Sequence, residues 1–185
     1  MKTVAFRALA GVAASFALAL PCAAQVSVVG CIFDSTVPHV TDDPNRCPAE
    51  HKLDIVSIKT SWTQSSGVIG GGGGGEGKVT VGPFVVSKNL DRTSPGLFLD
   101  VVTGRHLQGV LIAVFDTGPR GNLRRVFSFL LEQVVVSSLE FDAADSRTRG
   151  ALPLDLVGFA YAKLVVRDDL FNVTETFDFA GNRVQ

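Results

Sequence analysis

The sequence predicts a mostly β domain, a sandwich or barrel of about seven or eight strands with one short helix near residues 94–103. Three observations carry this. Short runs rich in Val, Ile, Phe and Thr recur along the chain, separated by Gly, Pro, Asn and Asp. Only one segment, around residues 94–103, repeats its apolar residues at helical spacing. The glycine run Gly70–Gly75 lies between two strand-like stretches and joins them as a loop.

The elements follow in order. Residues 1–24 read as a secretory signal peptide: Lys2 and Arg7 form a basic start, Ala8–Leu20 an apolar stretch, and Pro21-Cys22-Ala23-Ala24 a small-residue cleavage site before Gln25. The stretch is short for a membrane span, so no stable span is expected. Cys22 follows Pro21, a poor setting for a lipidated cysteine, so cleavage after Ala24 is the expectation. The remaining 25–185 is about one domain's worth of chain, long enough to bury a sizeable core. Its charge is mild and well mixed (formal net charge of the whole chain −1), which argues against a nucleic-acid partner, since that asks for a basic stripe. The local cluster Arg120, Arg124, Arg125 reads as a solvated hairpin tip.

Residues 26–33 form a first strand, and 34–50 a long polar loop with Pro38, Pro44 and Pro48. Cys31 precedes it and Cys47 lies within it. In an exported chain such a pair reads as a disulfide. A rival reading is a zinc site of Cys31, His39, Cys47 and His51, although zinc cysteines usually stand two to four residues apart and these stand sixteen apart. Residues 52–65 form the second strand, with Ile58, Thr60, Trp62 and Gln64 on one face. The third spans 78–88. Thr93 or Ser94 can cap the helix, Pro95 sits in its first turn, Leu97, Phe98, Val101 and Val102 give an apolar face, and Gly104 ends it. Strands at 106–116, 125–141, 152–167 and 170–179 complete the chain, with a bulge expected at Ser137-Ser138.

Little of this carries chemistry. Gly72–Lys78 matches seven positions of a phosphate-binding loop, but Val79 replaces the required hydroxyl and a strand, not a helix, follows. No strained serine elbow accompanies the three histidines, His39, His51 and His106. Asp100, Asp142, Asp145 and Asp155 could pair as a glycosidase dyad only at a separation the sequence does not give. Asn172-Val-Thr174 matches a glycosylation acceptor but falls within an expected strand. The expectation is a protein that is not an enzyme and holds no cofactor or metal.

One constellation is more specific in combination than in its parts. A strand bearing Trp62 precedes the glycine loop. After the next strand comes Lys88-x-x-Asp91-x-x-Ser94-Pro95-x-Leu97, then the helix, Gly104, and later Leu131–Leu139 with its Val-Ser-Ser. Over roughly 53–167 this resembles the Hcp family, the haemolysin co-regulated proteins of type VI secretion. The resemblance implies a two-sheet β-barrel flanked by a helix, structural roles for Trp62, Lys88, Asp91, Ser94, Pro95, Leu97 and Gly104, and no catalytic residues. It implies self-assembly into hexameric rings that stack as a tube, with effector cargo and type VI secretion components as partners. The signal peptide and the Cys31–Cys47 loop depart from the family's usual route and point to a secreted or periplasmic protein. An alternative is a monomeric binding module that grips its partner with the 34–50 loop.

Overall fold

The computed structural model describes residues 26–34, 46–64, 79–118, 122–142, 153–179 and 183–184. Their strands are β1 (Val26–Phe33), β2 (Lys52–Lys59), β3 (Trp62–Gln64), β4 (Val79–Val81), β5 (Phe84–Asn89), β6 (His106–Thr117), β7 (Leu123–Asp142), β8 (Leu154–Asp168), β9 (Val173–Asp178) and β10 (Arg183–Val184), with helix α1 at Ser94–Thr103. Six of them close a barrel in the order β8-β5-β2-β1-β6-β7, because β7 also pairs with β8. All these pairings are antiparallel.

The fold class read from the sequence holds, with more strand elements than expected. Two expected strands are each broken. The 52–65 strand divides at Thr60-Ser61, and the 78–88 strand at Gly82-Pro83, leaving β3 and β4 as a separate two-stranded ribbon. The two breaks face each other: the Gly82 N–H donates to the Ser61 carbonyl at 3.0 Å. A Cβ on Gly82 would come within 2.8 Å of Ser61 Oγ, so glycine permits this close approach. Pro83 cannot donate to a ladder, which ends the pairing there.

β8 is the seam of the barrel. Along one edge it pairs with β7 over nearly its whole length. Along the other, Leu154–Phe159 pair with β5 and Lys163–Asp168 with β9. The core inside the barrel is built from alternate residues, among them Leu53, Phe84, Val86, Ile112, Leu131, Val157 and Phe159. Phe84 and Phe129 meet edge to face with ring centres 5.2 Å apart, the geometry that aromatic quadrupoles favour. Of the three register breaks in the barrel ladders, one falls between Val114 and Phe115 on β6 and two others adjust the alternation. The first of these two lies between Ile55 and Ser57 on β2, so that Leu53, Ile55 and Ile58 all reach the core. The other lies between Val136 and Ser138, as expected at the paired serines. There the Ser137 hydroxyl donates to the Gly158 carbonyl at 3.0 Å.

The last expected strand, 170–179, begins later, at Val173. The Asp168 carboxylate accepts from the N–H groups of Leu170 and Phe171 and winds these residues into a turn. Asn172 closes it at φ 55°, a left-handed conformation that asparagine tolerates. The Asn-Val-Thr acceptor thus starts in an exposed turn, not inside a strand.

Candidate functional site

The helix is attached to the barrel by a buried ionic cluster. Lys88 ends up fully buried at the end of β5 because its neighbours in the ladder, Ile55 on β2 and Asp155 on β8, hold that stretch in the barrel wall. Its ammonium donates to Asp155 Oδ2 at 2.9 Å, Ser94 Oγ at 3.0 Å and the Asn89 carbonyl at 2.9 Å, and lies 3.0 Å from Asp91 Oδ1. Asp155 is also fully buried. The Ser94 hydroxyl donates to Asp155 Oδ2 and accepts from the Asp91 N–H. All three donors of the lysine are therefore directed at oxygens, as burial of a cation requires. The other oxygen, Asp155 Oδ1, has no hydrogen-bond partner among the described residues.

This cluster changes how the helix starts. Neither Thr93 nor Ser94 caps it in the expected way. Thr93 is the N-cap residue but its hydroxyl makes no bond to the helix. It donates instead to Asp91 Oδ1 at 2.6 Å, which also accepts the Thr93 N–H at 2.8 Å. Burial alone would raise the Asp91 pKa; the Thr93 hydroxyl and N–H and the Lys88 ammonium outweigh it and hold the carboxyl below its usual value. Pro95 occupies the first turn as expected, and Gly104 ends the helix at φ 64° with its N–H on the Asp100 carbonyl.

The buried face of α1 is also not the expected one. Ser94, Leu97 and Asp100 are buried, and Val101 packs on the core. Phe98 and Val102, expected inside, are 53% and 60% exposed, and Leu99 is 57% exposed. The physical reason is the anchor. Ser94 is drawn in by Lys88 and Asp155, and Asp100 by Arg105, whose Nε donates to Asp100 Oδ1 at 2.7 Å. Those two polar contacts fix the rotation of a ten-residue helix and turn the Phe98/Leu99/Val102 side outward. The bond to Asp100 also raises the Arg105 pKa, with Asp34 adding to it.

Two further features lie on the barrel. Cys31 and Cys47 are joined, with Cα atoms 5.8 Å apart. Their sulfurs are consumed in that bond, which removes them as zinc thiolates; His39 lies outside the described residues. With Phe33, Leu111 and Leu130 they form a second small apolar cluster, separate from the barrel core. The ribbon β3–β4 is held by the Trp62 indole N–H, which donates to the Tyr161 hydroxyl at 2.8 Å. Beside it runs a groove of about 230 Å³ lined by Trp62, Val79, Leu164, Val166, Phe177 and Phe179.

Among the described residues, the candidate reactive groups are not brought together. Asp100 and Asp155, two candidates for a carboxylate pair, are committed to Arg105 and Lys88. The Asp142 side chain and Asp145 lie outside the described residues. Arg124 and Arg125 are each paired, with Asp116 and Asp169, while Arg120 lies outside. His106 is exposed at the start of β6. The glycine run and Lys78 lie outside, and Val79 directly after them begins strand β4, so no helix N-terminus is there to hold a phosphate. Among the described residues no group of three or more His, Cys, Asp or Glu is arranged to hold a metal, and no helix is long and apolar enough to cross a membrane. The sequence reading missed Asp155 as the partner of Lys88. The two are sixty-seven residues apart, and only the β5–β8 register brings them together.

A closed six-stranded barrel with one helix pinned beside it by a lysine–aspartate–serine cluster defines the class of fold. The chain belongs to the Hcp family of type VI secretion: the family model described as type VI secretion system effector, Hcp, matches residues 44–167. The fold is that of solved Hcp structures. A crystal structure of an Hcp protein aligns with a TM-score of 0.66 at 18% identity, covering 82% of this chain and 98% of that one. Hcp1 from E. coli EAEC 042 aligns with a TM-score of 0.66 at 18% identity, covering 84% and 99%. Hcp1 from Salmonella typhimurium aligns at 0.64 and 17% identity, covering 86% and 99%. No curated protein matches the sequence.

Proposed function

We propose that this chain is an exported structural subunit of the type VI secretion kind. It assembles with itself into rings, hexameric as the family resemblance implies, which carry effector cargo and stack as tube. The N-terminal segment 1–24 directs export, with cleavage after Ala24, and residues 25–185 form the working domain. Trp62, Lys88, Asp91, Ser94, Pro95, Leu97 and Gly104 serve it as structural residues, not as a site of reaction; the protein is not an enzyme.

The observation that carries self-assembly is the outward face of α1. Phe98 and Val102 lie one turn apart, and Leu99 and Val102 three residues apart, so the three side chains form one patch. All are more than half exposed. A helix that buries serine and aspartate while exposing phenylalanine, leucine and valine has a surface suited to a partner protein. The test is native mass spectrometry and size exclusion of the 25–185 chain over a range of concentrations. Oligomers that dissociate in Phe98→Glu/Val102→Glu support the reading. A monomer at every concentration overturns it and favours a binding module that works through the 34–50 loop.

A further inference from the structure

On the outer wall of the barrel, four strands bring a lysine and a glutamate to opposite ends of one cavity. Ile58, Val86, Val157 and Leu139 pack into the core, so their neighbours along β2, β5, β8 and β7 point outward. Lys59, Val85, Gly158 and Ser138 stand in register across these strands, and Glu140 lies in the next outward row, opposite Leu156. A cavity of about 340 Å³ lies here, lined by Lys59, Ser61, Val85, Ser138, Glu140 and Leu156 among others. Its size is within the range of small-molecule sites.

The sequence makes this hollow in two ways. Gly158 leaves the middle of the row without a side chain, and a Cβ there would overlap the Ser138 hydroxyl. On the other side, the breaks at Thr60-Ser61 and Gly82-Pro83 lead the chain off the wall into the β3–β4 ribbon, so Ser61 and Pro83 form a rim. The floor is apolar, from Val85 and Leu156. The Ser61 and Ser138 hydroxyls can each donate and accept a hydrogen bond. Lys59 and Glu140 stand at the two ends, and both are exposed.

Opposite charges at a set separation select a ligand by length. Three ladders lie between β2 and β7, which places the Lys59 and Glu140 backbones roughly 14 Å apart. Both side chains line the same cavity, so their charged ends stand closer than that. A free amino acid carries both charges on one carbon and reaches only one of the two residues. An extended peptide adds about 3.5 Å per residue, so about three residues set a terminal ammonium and a terminal carboxylate roughly 10 Å apart.

We propose that this cavity binds a short zwitterionic peptide of about three residues with small apolar side chains. Its carboxylate meets the Lys59 ammonium and its amino end meets the Glu140 carboxylate. Ser61 and Ser138 hydrogen-bond its amides, and its side chains rest on Val85 and Leu156. Neither charged residue is buried, so each terminal ion pair contributes little and the affinity is modest, with a Kd on the order of 1 mM. One subunit builds the whole site, so binding does not require ring assembly.

The test is isothermal titration calorimetry of the purified chain with trialanine, with its N-acetyl and C-amide forms, and with free alanine. Trialanine should bind saturably at one site per chain, and alanine at least about tenfold more weakly. Blocking either end of the peptide should weaken binding by about fivefold, near the most that an exposed ion pair supplies. The loss on N-acetylation should vanish in Glu140→Gln, and the loss on amidation should vanish in Lys59→Gln. Each variant changes an exposed side chain and should keep the native far-UV dichroism. These crossed losses assign each end of the peptide to its own residue, which non-specific association does not produce. The proposal is overturned if trialanine gives no saturable heat up to about 20 mM, if alanine binds as well as trialanine, or if blocking the ends costs nothing or costs the same in both variants as in the native chain.

Discussion

Replacing Lys88 with methionine should be among the most damaging single changes in this chain. Methionine is close to lysine in length and fills the same space, so the change isolates the charge. Among the described residues it leaves the fully buried Asp155 carboxylate with Ser94 as its remaining donor, and Asp155 Oδ1 already lacks a partner there. Breaking a buried pair from one side costs about 3–5 kcal/mol, because the surviving charge stays desolvated. For a domain of this size that lowers Tm by roughly 10 °C, or the urea midpoint by about 2 M. Circular dichroism in urea measures it. The double change Lys88→Met/Asp155→Leu separates pairing from packing. With both charges gone, the loss should fall short of the sum of the two single losses by about 2 kcal/mol. The reasoning is refuted if Lys88→Met costs under about 1 kcal/mol, or if the two changes add to within about 0.5 kcal/mol, the spread of independent sites.

Three other outcomes follow from the same geometry. Asp91 has its pKa lowered from 3.8, so its contribution is present above that value and is lost as pH falls through the lower folded value; acid titration of stability should show a loss below pH 3.8 that shrinks in Asp91→Asn. The chain has a single tyrosine, so ultraviolet absorbance titrates Tyr161 alone: burial raises its pKa above 10.0 against the Trp62 indole bond, stability should fall as pH climbs past 10.0, and Trp62→Phe should move the midpoint higher still. Reducing Cys31–Cys47, a bridge across 16 positions, should lower stability to urea by about 3 kcal/mol, since a loop of that length restricts the unfolded chain by that much.

Much of the fold could be read from local pattern, because a closed barrel repeats one simple rule. The strands are rich in Val, Ile, Leu and Phe, and the turns between elements carry the expected Gly, Pro, Asn and Asp. β6 is apolar on both faces for a reason visible only in three dimensions: Val110 and Ile112 fill the core, and Leu111 packs in the second cluster with Cys31, Phe33 and Cys47. The helix was legible in place and length but not in rotation. Its apolar periodicity offers Leu97 two neighbours, Phe98 on one side and Val101 on the other. The choice between them is made by Lys88 and Asp155, residues outside the helix. Periodicity records which residues are apolar; it does not record that a serine and an aspartate will be drawn under the helix by charges elsewhere. The same limit hid Asp155, an acid in an otherwise apolar strand whose meaning depends on a register between distant segments.

Closure of the barrel also restricts how such a subunit can meet another. An open sheet can add a strand from a neighbour along its edge, and that edge is a hazard as well as an opportunity. Here β7 pairs with β8, so the six-stranded wall has no free edge. What remains among the described residues is short: β10 covers Phe177 and Asp178 of β9 and leaves Val173–Thr176 to one side, and the ribbon β3–β4 pairs three residues with three. Glu175 stands on the uncovered part of β9, exposed, a charge that discourages strand addition there. Association by backbone hydrogen bonds is thus limited to a few residues, and side-chain surfaces must supply most of any interface. A closed ring further requires two different surfaces on each subunit, one for each neighbour. In the ring proposed above the outward face of α1 is one of them, and its orientation is set by a lysine with no exposure of its own. A change at Lys88 mild enough to leave the barrel folded should therefore weaken association as well, because it frees the helix to rotate the Phe98/Leu99/Val102 patch away from its partner.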